Sequence, residues 1–170
     1  MPDVAVVRPR VGVGVVLRRP DGAFLVGERK GSHGAGQIAL PGGALETYET
    51  IRACATRETL EEVGVRVPED AWRAPFAVAE AVIDANNHWI TIFALAHVAA
   101  DVKFENMEPH KCAGWSFRFA RDVERVADDG VFLPLRSLLR DGDASIDDAC
   151  VPEGYAVNGD GVYAPAGRGA

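Results

Sequence analysis

Hydrophobic positions along the chain follow two different periods. VGVGVVLRRPDGAFLVGER, from Val11 to Arg29, reads as two β-rich runs around Pro20-Asp21-Gly22, which predicts a hairpin. RKGSHGAG then breaks the pattern as a polar, glycine-rich loop, and IALPGGALE runs as a short extended segment into a Gly42-Gly43 bend. In TYETIRACATRETLEEVGV the spacing turns helical. Gly64 is placed as a C-cap, and Thr47 and Thr50 both fit an N-cap. PFAVAEAVID and HWITIFALAHVA predict a second hairpin around Ala85-Asn86-Asn87. A loop (ENMEPHKC), a short strand (GWSFRF) and a helix around VFLPLRSLLRDG follow. No internal repeat is present. Strands on both sides of one helix, with another helix near the end, predict an α/β domain over residues 10–140, a mixed sheet sandwiched between helices (α/β/α). Residues 141–170 are glycine-rich and aperiodic. They are expected to be an irregular tail, ordered only where something holds it.

Composition changes this picture little. Of the 170 residues, 48% are hydrophobic and 25% charged, which fits one globular domain with a real core. The net charge of −7 argues against a nucleic-acid or anionic-membrane partner, both of which need a basic face. An anionic small molecule stays open, because a metal ion or local Arg and Lys reverses the local sign. Cys54, Cys112 and Cys150 are odd in number and far apart, which reads as a reduced, cytoplasmic protein with Cys54 as a small helix residue. MPDVAVVRPR has no secretory pattern, and the longest apolar run, Trp89 to Ala100, falls short of the roughly 20 residues a bilayer needs.

The charged stretch RETLEEVG carries the chemistry. At about 100° per residue, Glu58, Glu61 and Glu62 fall within one arc of the helix, while Ala53, Thr56, Thr59, Leu60 and Val63 lie on the side that would pack on the sheet. Like charges at i,i+4 repel, and clustering near a helix C-terminus opposes the dipole. Such a face is either solvated or holds a cation. Pro41-Gly42-Gly43, backbone free of bulky side chains, and the further carboxylate Glu49 favour the cation, since a hard divalent ion takes several carboxylate oxygens and often a backbone carbonyl.

GALETYETIRACATRETLEEVGV, from Gly43 to Val65, resembles the Nudix box of nucleoside-diphosphate-linked hydrolases. Gly43, Glu49, Arg57, Glu58, Glu61, Glu62, Gly64 and Val65 fall in register, and Thr59 stands where an aliphatic residue is usual. RVGVGVVL, ERKGSHGAG, IALPGG, HWITIF, NMEPHKCAGW and FLPLRSL extend the resemblance over residues 10–140. They are most similar to the MutT-related subgroup of the mammalian thiopurine-nucleotide diphosphatase and the plant cytosolic Nudix hydrolases.

That resemblance implies a Nudix fold and an enzyme. Glu58 and Glu62, with the carbonyl of Gly42, would bind Mg²⁺ (Mn²⁺ substituting). Glu61 would be a further ligand or the base that activates water, and Arg57 would orient the glutamates with Glu49 as its charge partner. Arg29 would touch the substrate phosphates, with Lys30 beside it and Glu108 as a possible extra carboxylate. Leu40, Ala44, Thr91, Pro134 and Leu135 would line the substrate pocket, together with His88, Trp89 and Phe132. From the residues alone, Arg29 and Lys30 also read as a solvated basic loop, Trp89 and Thr91 as strand packing, and FLPL as helix-start core. Departures bear on the substrate: Ala44 replaces a His, Ala39 a Gln, and Thr47-Tyr48 a Phe-Gly pair. The expected reaction is hydrolysis of a nucleoside triphosphate, a purine dNTP first, to the monophosphate and pyrophosphate, in a homodimer. The alternatives are an isoprenyl diphosphate or nucleotide sugar as substrate, and a nucleotide sensor without turnover.

Overall fold

A computed structural model describes residues 8–31, 33–73, 75–140 and 151–166. The first hairpin forms as expected, with β1 (Arg10–Arg18) and β2 (Phe24–Arg29) joined antiparallel at Arg18↔Phe24. The second joins β5 (Ala77–Asp84) to β6 (Asn87–His97). Between them come β3 (Ile38–Ala39), β4 (Gly42–Ala44) and the helix α1 (Ile51–Val63), and after them β7 (Cys112–Arg118), α2 (Ala120–Glu124) and α3 (Leu133–Arg140). The sheet runs β3-β2-β1-β6-β5, with β6 parallel to β1, so it is mixed, as the sequence predicts.

The outer edge of β1 is divided between two partners. β2 touches it only at its C-terminal end and then pairs with β3 and β7, while β4 takes the N-terminal end through Gly12↔Ala44, Val13↔Gly43 and Gly14↔Gly42. The Gly-Gly bend is therefore a short strand. Strand periodicity puts the sheet between two apolar layers. Val13, Val15, Leu17 and Leu25 pack with Cys54, Ala55 and Val63 of α1, whereas Val16, Phe24 and Val26 pack with Val123 and Leu135 on the other side. No helix among the described residues is long and apolar enough to cross a membrane.

Thr50 caps α1, accepting from Ala53 N at 3.1 Å, and Gly64 closes it at φ 74°. The buried face differs from the expected one. Cys54, Ala55, Glu58, Thr59 and Val63 are buried, whereas Leu60 is exposed. The helix is rotated so that Glu58 meets β4.

The tail also departs from expectation. Residues 141–150, with Cys150, lie outside the described residues, but β8 (Tyr155–Val157) and β9 (Tyr163–Pro165) form an antiparallel hairpin. Its turn is held by Asn158, whose Oδ1 accepts from the backbone of Asp160 and Val162, both at 3.0 Å. Val162 is fully buried in the α1-side core and bridges Val98. Val162, with Ala164 beside it and Gly161 accepting from Ala99 N at 2.7 Å, anchors a segment that has no periodicity of its own.

Candidate active site

Glu49 precedes the cap of α1 by one residue, and Arg57 lies two turns into the helix. The Arg57 fork closes on Glu49 through Nε at 2.9 Å and Nη2 at 3.0 Å. Its Nη1 donates to Glu58 at 2.6 Å and reaches Glu61 at 3.4 Å, and Nη2 donates to the carbonyl of Ala44 at 3.2 Å. The helix is thereby tied to β4. The Arg57 hydrogen bonds hold the Glu49 carboxyl down at about 2, while the same partners raise the guanidinium above its ordinary value.

Glu58 and Glu62 face the other way, into the molecule. Glu62 accepts from the Gly42 N–H at 2.9 Å, yet burial pushes its carboxyl up to about 7, with Glu58 and Glu108 adding repulsion. Burial raises Glu58 as well, against its bond to Arg57. Gly43 allows this approach, since a Cβ there would sit 2.2 Å from Glu58 Oε1. The backbone of Glu62 is fixed too, its carbonyl accepting from Trp115 Nε1 and Met107 N, both at 3.1 Å.

Two adjoining cavities meet at this point. A polar one of about 370 Å³ is lined by Glu58, Glu62, Glu108, Lys111, His33 and Trp115, among others. An apolar one of about 190 Å³ lies on the α3 side, between Trp89, Thr91 and Phe93 of β6 and Phe132, Pro134 and Leu135. Arg29, Leu40, Gly42, Gly43 and Ala44 line both. The floor of the apolar lobe needs glycine: a Cβ on Gly14 would lie 2.7 Å from the Phe93 ring.

All six expected substrate residues, Arg29, Leu40, Ala44, Thr91, Pro134 and Leu135, therefore line the apolar lobe, and Glu58, Glu62 and Gly42 line the polar one. Glu61 lines neither; its half-exposed side chain turns to Arg57. His88 pairs with Glu80 at 2.8 Å on the surface, and Lys30 donates to the carbonyl of Pro109 at 2.9 Å rather than facing the cleft. Glu108 enters the polar lobe, bound to Lys111 at 2.8 Å. Lys111, Trp115 and His33 had no sequence signal of their own. The first two come from a loop and a strand joined to α1 only by tertiary contacts.

Among the described residues, no three Asp, Glu, His or Cys groups converge closely enough to enclose a metal ion. The donors still suit a hard divalent cation. Two carboxylates on one cavity wall, Glu58 buried and Glu62 partly so, each disfavoured as an anion by its surroundings, have the oxygen chemistry that such an ion takes.

Known proteins share parts of this sequence and its fold. A Mycobacterium tuberculosis protein named "Putative 8-oxo-dGTP diphosphatase 3" is 40% identical over 81 residues, 45% of this chain and 37% of its own. The chain thus spans little more than a third of the length of the curated relatives it matches. The MutT NUDIX hydrolase of Burkholderia pseudomallei superposes with a TM-score of 0.59 at 30% identity, over 67% of this chain and 85% of that one. The bifunctional NMN adenylyltransferase/ADP ribose pyrophosphatase of Francisella tularensis, complexed with AMP and a manganese ion, shares the fold. Its TM-score is 0.65 at 18% identity, over 80% of this chain and 41% of that one. The NUDIX domain model matches residues 8–140, well over half of the sequence, and the protein belongs to the NUDIX family.

Proposed function

We propose that the protein is a Mg²⁺-dependent hydrolase that splits a nucleoside triphosphate, a purine deoxynucleotide first, into the monophosphate and pyrophosphate. One observation carries this reading: a polar lobe walled by the carboxylates of Glu58 and Glu62 adjoins an apolar lobe, and Arg29 lines both. The phosphate chain then lies in the first and the base in the second, between Trp89, Phe93 and Phe132. Glu58 and Glu62 would hold the ion, with Gly42 beside them. When bound, the ion would neutralise the phosphate charge and activate water. Arg57 and Glu49 set the position of Glu58 and so of the lobe's wall. Glu61, on the same helix but turned to Arg57 outside the cavity lining, would take a proton from the attacking water.

A second reading has its own support. Among the described residues, the side chains lining the apolar lobe offer only Thr91, Trp89 and Arg29 as hydrogen-bonding groups, which also suits an isoprenyl diphosphate. One assay separates the two. Pyrophosphate release is measured with Mg²⁺ on the four dNTPs, C8-oxidised dGTP and thio-dGTP, with phosphate release from geranyl diphosphate in parallel and Glu62→Gln as the control. Turnover of purine nucleotides that vanishes in the variant is the expected result. Activity on geranyl diphosphate alone would replace the main reading, and silence on every compound would leave a sensor without turnover.

A further inference from the structure

We infer that Phe132 is a positioning residue for Arg29, holding its guanidinium between the two lobes so that its terminal nitrogens meet the phosphate next to the substrate's organic group. The inference rests on the reading of the cleft given above.

The guanidinium carbon of Arg29 lies 4.2 Å from the centroid of the Phe132 ring, and Arg29 Nε donates to the carbonyl of His33 at 3.0 Å. These two contacts fix the plane and the direction of the fork. Neither Nη1 nor Nη2 has a hydrogen-bond or salt-bridge partner among the described residues, so both are available to a ligand. Burial works against the Arg29 charge, and the nearby Glu62 works for it. A cation over an aromatic face gains from the ring quadrupole in such a partly desolvated place.

Phe132 is itself anchored. Its N–H donates to the carbonyl of Ile38 at 2.9 Å, Val131 bridges Ile38, and the ring lies so close over Gly34 that a Cβ there would be 2.8 Å away. The loop carrying His33, the strand carrying Arg29 and the segment entering α3 thus converge on one guanidinium. A fork held in advance loses less freedom when it meets an oxyanion, and a lysine could neither stack in the same way nor present two parallel donors.

Phe132 also lines the apolar lobe, so its ring could serve the organic group alone. Inorganic pyrophosphate, which has no organic group, separates the two roles. Its binding to the full chain with Mg²⁺ is measured by calorimetry for the wild type, Phe132→Leu, Phe132→Tyr, Arg29→Ala and the Phe132→Leu/Arg29→Ala double variant. Phe132→Leu is expected to weaken binding about fivefold, Phe132→Tyr to keep it, and Phe132→Leu to add nothing in the Arg29→Ala background. A general loss of structure would weaken binding in that background as well, so the cycle is not confused by a folding effect. Wild-type affinity in Phe132→Leu, or losses that add in the double variant, would overturn the inference alone. A wild type that does not bind pyrophosphate would remove the phosphate lobe, and with it both the proposed function and this inference.

Discussion

Arg57 grips both oxygens of Glu49, at 2.9 and 3.0 Å, and extends its remaining nitrogen to Glu58 at 2.6 Å. The pair does not face the cavities; it fixes a residue that does. Partners of this kind usually change metal affinity or activity by about tenfold to a hundredfold when removed. Arg57→Lys is expected to fall in that range, since an ammonium cannot make the two parallel contacts. The Mg²⁺ concentration giving half-maximal activity should rise in both Arg57→Lys and Glu49→Gln. Unchanged Mg²⁺ dependence in both would show that Glu58 needs no such support.

A second prediction concerns pH in the absence of metal. Glu62 has a folded value of about 7 against an ordinary 4.5. Between those values the native state binds a proton that the unfolded chain has released. This group's contribution to stability is therefore full below about pH 4.5 and is lost as pH rises towards 7. With a chelator present, the unfolding temperature of the wild type should fall relative to Glu62→Gln between pH 5 and pH 8, and Mg²⁺ should stabilise more at pH 8 than at pH 6. Parallel pH profiles of wild type and variant in chelator would refute the assignment of a raised carboxyl.

Much of this site was legible in the chain because α1 is a local object. Its caps, its acidic register and the Gly42-Gly43 approach all lie within Pro41–Val65, where spacing maps directly onto a helix face. The rotation of that face was less legible, since Leu60 and Glu58 exchange the expected exposure. Apolar periodicity favours burying Leu60, but the contact of Glu58 with Gly43 and Arg57 outweighs it. The rest of the polar lobe depends on long-range pairing. Lys111 and Trp115 reach α1 because β7 pairs with β2, and no local pattern encodes that. Pocket residues on β6 and around the start of α3 came from family likeness, since as isolated sequence they read equally well as packing. The five-residue α2 was too short to leave a period.

Tyr48 gives a third test. It has φ 67° with a fully exposed ring, one residue before Glu49. A non-glycine residue in the left-handed region is strained, and no packing of the ring offsets that here. Tyr48→Gly should therefore raise the urea midpoint by about half a molar, with little change in m. A lower midpoint would mean that the ring makes a stabilising contact.

The last prediction concerns the hairpin that follows the residues matched by the NUDIX domain. Val162 is fully buried against the core that contains Trp72, Val98 and Val102, and Gly161 accepts from Ala99 N at 2.7 Å. Trp72 in turn donates to Thr56 Oγ1 at 2.8 Å, one residue before Arg57. The tail therefore reaches the acidic helix through a packed core and one indole. Val162→Ala should cost about 2 kcal/mol by lost burial and the cavity left behind, seen as a lower urea midpoint. Deleting residues 151–170 should cost more, and because the support lies beneath α1, activity at fixed Mg²⁺ should fall along with stability. A truncated chain with an unchanged unfolding midpoint would show that β8 and β9 only rest on a domain already complete at Arg140.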